Sequence, residues 1–171
     1  MRSVCPKPVY AADTPLATLV TTELLLVGTL RLYAIPSPAR HKDDVVWTRG
    51  LIAAGIAATA VPAFHGLFAI AASAGSRPLE VGHPRCRRLA QDEARLLQLT
   101  SLLQQRRAEM AMAILAEWLP PAAARLALAP ARQLAAALTM GGLTVPLRHE
   151  EAADIVRAVG TYADRGLVLV Q

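Results

Sequence analysis

An all-α fold, a compact single-domain array of about six to eight short helices, is what this sequence predicts. Three observations carry that prediction. Apolar residues recur at spacings of three and four along most of the chain. Aromatic residues make up only 4% of it and β-branched residues are scattered, so no alternating strand pattern develops. Much of the 54% hydrophobic content is alanine, a strong helix former that adds little volume to a core. At 171 residues the chain suits one core, and no Pro/Gly/Ser-rich tract divides it. We therefore expect a flexible N-terminal arm over residues 1–13 and one helical domain over 14–171.

The elements follow in order. Pro6 and Pro8 keep the arm extended. Thr14 or Asp13 can cap a first helix with Pro15 in its first turn, running on Leu16, Leu19, Val20, Leu24, Val27 and Leu30 to Ala34. Ile35 precedes Pro36 and ends it. After a polar loop from Pro36 to Lys42, Asp43 and Asp44 open a second helix from Val45 to Ala60, which Pro62 breaks to begin a third over 62–74. Gln91 to Gln105 is the clearest helix, with Asp92 and Glu93 in its first turn and a broad leucine face. It pairs with a fifth helix that stops at Pro120 and Pro121, forming a helical hairpin. Short sixth and seventh helices flank Pro130, and a last one follows Glu150 and Glu151, leaving the apolar tail Leu167 to Val170. No fixed-period repeat of the solenoid kind is visible.

Special chemistry, if any, sits between Arg77 and Arg107. The chain has 18 Lys and Arg, of which only Lys7 and Lys42 are lysines, a bias typical of a GC-rich bacterial genome. Seven of the sixteen arginines lie in this region: Arg77, Arg85, Arg87, Arg88, Arg95, Arg106 and Arg107. Against Glu80, Asp92 and Glu93 they hold most of the net charge of +5, a candidate binding face for a protein partner with an acidic surface. Cys86, among arginines and before a helix N-terminus, is a candidate redox-sensitive thiol. His83 and Cys86 have a metal-ligand spacing but no second pair nearby, so no metal site is assigned.

Other classes find less support. No aromatic residue interleaves with these arginines, which disfavours nucleic acid and leaves a nucleic-acid-binding regulator as one alternative. No acid, base and nucleophile set assembles and no cofactor motif is present, so neither catalytic residues nor a cofactor are assigned. The uncharged stretch 50–75 is long enough to span a bilayer, which makes a membrane-associated protein with these residues inserted another alternative; its alanines, Pro62 and His65 argue for two packed helices. Two cysteines, Cys5 and Cys86, and a poor secretory signal point to the cytoplasm. The Ala/Leu-rich helices are compatible with a homodimer.

The order Arg77-Pro78-Leu79, Cys86, Asp92-Glu93 and Leu96-Leu97 resembles small bacterial all-helical proteins of unknown function, over residues 62–148. The chain departs from that pattern in having a single cysteine where a pair is usual, and Ala90 in place of a Ser or Thr cap. The resemblance implies a compact helical cytoplasmic protein with no known activity.

Overall fold

The computed structural model describes Tyr10 and residues 14–35 and 46–148. Most of the expected N-terminal arm, Cys5, the expected loop from Pro36 to Lys42, the expected helix start at Asp43, Asp44 and Val45, the helix expected after Glu150 and the apolar tail lie outside the described residues. Within them the fold is all-α, with six α-helices: α1 (Thr21–Ala34), α2 (Arg49–Ala53), α3 (Ala57–Ala74), α4 (Gln91–Gln104), α5 (Ala108–Trp118) and α6 (Pro121–Met140). Short 3-10 turns precede α1 at Leu16–Thr18 and α2 at Val46–Thr48.

Several boundaries differ from the sequence reading. Thr14 does not cap α1, and Asp13 lies outside the described residues: Pro15 enters an antiparallel bridge with Arg88, and the helix begins after it, at Thr21. The second and third helices divide at Gly55 and not at Pro62. Gly55 has φ +71°, and the amides of Gly55 and Ile56 bond back to Ile52 and Leu51, a helix stop that a left-handed residue provides. Pro62 then lies inside α3, and Pro130 lies inside a single α6 where two short helices were expected. Each proline deprives the carbonyl four residues earlier of its donor. Those residues, Ala58 and Leu126, are exposed, so water can take the bond, and packing holds each helix continuous.

The core is built where α3 crosses α6 and where the α4–α5 hairpin closes over them. Gly66 faces Pro130, with room for close approach, and Gly141 touches Ile56 so tightly that a Cβ would lie 2.4 Å from the Ile56 Cγ2. On the other side α3 meets larger side chains. Tyr33, Trp47, Phe64 and Phe68 form edge and stacked ring contacts 4.7–5.9 Å apart, and Phe68 reaches Trp118 at 6.4 Å.

The structure also relates the two halves, α1–α3 and α4–α6, in a way no repeat in the letters announces. Glu23 and Glu93 both occupy the third helical position, and each carboxylate accepts the backbone N–H three residues earlier, from Val20 and Ala90. The bridge between the lead-in segments is self-consistent: Leu16 N–H donates to Arg87 O and Leu89 N–H to Thr14 O, so exchanging 14–16 with 87–89 maps one bond onto the other. At the spacing of the two glutamates, and not that of the bridge, buried positions coincide as well, Leu26 with Leu96 and Val27 with Leu97, and at a shorter spacing Ala60 with Ala127 and Leu67 with Leu134.

Candidate functional site

The charged chemistry is concentrated in three buried carboxylates. Glu93, at the start of α4, is fully buried, and each oxygen accepts two donors: Oε1 from Arg31 Nε at 2.7 Å and the Gly82 amide at 2.9 Å, Oε2 from Arg31 Nη2 and the Ala90 amide, both at 2.8 Å. Arg31, from the last turn of α1, is equally committed. Its five N–H groups reach Glu93 twice and the carbonyls of Cys86 at 2.6 Å, Arg88 at 2.7 Å and His83 at 3.3 Å. Every donor of the guanidinium and every acceptor site of the carboxylate is used. Gly82 is required beside them, since a Cβ there would lie 2.8 Å from Arg31 Nη2.

Asp92 is arranged likewise. Arg77 grips it through two bonds of 2.7 Å, Trp118 Nε1 donates at 2.9 Å and the Glu80 amide at 2.6 Å. Glu23 accepts the Tyr10 hydroxyl at 2.6 Å, the Val20 amide, and Arg148 through Nε and Nη2 at 3.0 and 2.7 Å. Arg148 also lies over the Tyr10 ring. Tyr10, in the expected arm, is thereby docked and buried.

Burial alone pushes Asp92 and Glu23 toward protonation. For Asp92 the bonds from Arg77, Glu80 and Trp118 outweigh it, for Glu23 those from Arg148, Tyr10 and Val20, and both carboxyls end below their ordinary range. Burial and the adjoining Glu23 push the Tyr10 hydroxyl up. With all four acceptor positions filled, these carboxylates have no lone pair left for a metal or substrate, and their role is to fix chain geometry.

The seven predicted arginines therefore divide. Arg77 belongs to Asp92; Arg95 bonds Glu117 across the α4–α5 hairpin and lies 3.8 Å from Asp92. The Arg88 carbonyl serves Arg31. Arg85, Arg87, Arg106 and Arg107 are exposed and form no ion pair among the described residues. They do not make one face: Arg85 and Arg87 precede the 14-residue α4 and Arg106 and Arg107 follow it, about 21 Å of helix apart. Cys86 is exposed, its Sγ 3.6 Å from the Arg88 carbonyl. His83 is exposed and accepts the Arg85 amide at Nδ1. No group of three His, Cys, Asp or Glu able to hold a metal occurs among the described residues.

Sequence reasoning missed Arg31, Glu23 and Arg148. Arg31 stands in an apolar helix with no nearby acid, and its partner is 62 positions away. The one legible signal was a charge on the buried face of α1, four residues after Val27 and next to Leu30. The chain matches no family profile, no curated protein and no solved structure.

The clamps set both the stability of the fold and its response to acid. Arg31→Met leaves Glu93 buried and unpaired and three carbonyls without donors, so a loss of about 3–5 kcal/mol is expected in urea unfolding; Arg31→Met combined with Glu93→Leu should recover part of it, and a loss below about 1 kcal/mol for the single change would contradict the assignment. Because Asp92 and Glu23 bind protons more weakly folded than unfolded, their contribution is complete above about pH 5 and is lost as pH falls below about 4. The urea midpoint should drop over that window, and less steeply for Asp92→Asn with Glu23→Gln; a wild-type midpoint constant down to pH 3 would refute this.

Proposed function

We propose that this chain is a non-catalytic interaction or adaptor protein that receives an acidic protein partner on the arginines left outside the clamps. One observation carries the reading: Asp92 and Glu93 are consumed internally, whereas Arg85, Arg87, Arg106 and Arg107 stand exposed and form no ion pair among the described residues. Arg77 and Arg95 are paired as well, so the basic excess of the region is unchanged but rests on exposed arginines. A protein partner fits better than nucleic acid because Tyr10, Tyr33, Trp47, Phe64, Phe68 and Trp118 are each buried or half-buried, which leaves no stacking platform beside those arginines among the described residues. The cytoplasm remains the proposed location.

A membrane-associated protein is the second reading, favoured by α3, whose 18 residues are long and apolar enough to cross a bilayer. Against it, α3 turns Thr59, Pro62, His65 and Ser73 outward and Phe64, Leu67 and Phe68 inward. Sedimentation with membranes in high salt and release by detergent alone would favour insertion.

The test is retention on immobilised polyglutamate, with double-stranded DNA of matched charge as comparison. Retention should fall with salt, and charge reversal of Arg85, Arg87, Arg106 and Arg107 together should weaken it at least tenfold. Unchanged retention of that variant, or preference for DNA, would overturn the proposal.

A further inference from the structure

A groove of about 570 Å³ lies between the α4–α5 turn and α6, walled by Leu103, Arg106, Arg132 and Met140 over a floor of Ala135 and Ala136. On α6, Arg132, Ala135, Ala136, Thr139 and Met140 fall at i, i+3, i+4, i+7 and i+8, so small residues form a trough between an arginine and a methionine. Met140 is 87% exposed, an unbranched apolar lip able to adapt to a partner.

The polar side chains of the lining are otherwise occupied. Gln104 bonds the Leu143 carbonyl and the Val145 amide, and the Thr139 hydroxyl bonds the Ala135 carbonyl. What the groove offers is apolar surface plus guanidinium. Between residues 103 and 140 the acids are Glu109 and Glu117, the latter bonded by Arg95, against Arg106, Arg107, Arg125 and Arg132. Charge complementarity therefore calls for an anionic occupant.

Arg106 adds an independent observation. The amides of Arg106 and Arg107 bond the carbonyls of Leu103 and Leu102, closing α4 with Arg106 at φ +60°. The corresponding stops after α2 and α6 use Gly55 and Gly142, both at φ +71°. Glycine is the unstrained residue there, so Arg106 holds its side chain at the groove against a conformational cost.

We infer that the groove is the docking site for an acidic amphipathic helix of a partner protein, its apolar stripe on Ala135, Ala136 and Met140 and its carboxylates on Arg106 and Arg132. The open trough suits a helix face better than an acyl chain, which requires enclosure. This rests on the acidic-partner reading and narrows it to one end of α4.

The experiment uses the full chain and two labelled helical peptides of equal glutamate content, one with leucines at i, i+3, i+4 and i+7 and one with alanines there. Fluorescence anisotropy should show the leucine peptide binding at least tenfold more tightly, and Ala136→Trp should remove that preference. Arg106→Gly should raise the urea midpoint while weakening the leucine peptide at least fivefold. Equal binding of both peptides, undisturbed by Ala136→Trp, would overturn the groove while leaving the acidic-partner reading intact; binding of neither would overturn both. Equal binding of a lysine-for-glutamate leucine peptide, or a dimer in light scattering that Ala136→Trp dissolves, would also overturn the assigned occupant.

Discussion

The ion pair between Arg31 and Glu93 sets the path of the segment between α3 and α4. A buried guanidinium with five donors has to find five acceptors, and only two sit on the carboxylate. The rest are the carbonyls of His83, Cys86 and Arg88, so the loop is drawn around the side chain. Glu93 in turn takes the amides of Gly82 and Ala90. A turn-rich, arginine-rich stretch that reads as surface is in this way tied to the interior, and it brings Arg88 opposite Pro15 in the bridge between the halves.

The same geometry recurs at the other end, with one substitution of parts. Glu23 stands where Glu93 does, and the α4 position matching Arg31 is Ser101, whose buried hydroxyl has no hydrogen-bond partner among the described residues. The guanidinium that Glu23 needs arrives from Arg148, beyond α6. One half is held by its neighbour's helix and the other by the chain that follows the last described helix. Tyr10 and Arg148, 138 positions apart, thus meet on one carboxylate.

Helical character was legible because apolar spacing and alanine content act locally. The α4–α5 hairpin appears where its leucine phase and the Gln104–Arg107 break place it. The prolines misled because their cost is local while the packing that overrides it is not: Gly66 against Pro130, and Gly141 against Ile56, hold α3 and α6 together whole. Of the candidate site, the arginine cluster was legible as composition and its division was not. Nothing adjacent to Arg77 reveals that Asp92 takes it, whereas Arg95 and Glu117 are joined only once the hairpin folds. The correspondence of the two halves was hidden because equivalent positions share burial more than identity, as Leu30 and Thr100 or Phe64 and Ala131 show.

Residues 77–90 belong to the cooperative core although they contain no helix. Native-state hydrogen exchange resolved by residue tests it most directly, because amides held by buried carboxylates or by the bridge exchange only when those contacts open. The amides of Glu80, Gly82, Leu89 and Ala90 should exchange with the same free energy of opening as those of Leu97 and Leu99 in α4. Exchange of these four at rates near those of an unstructured chain, while α4 stays protected, would contradict the account.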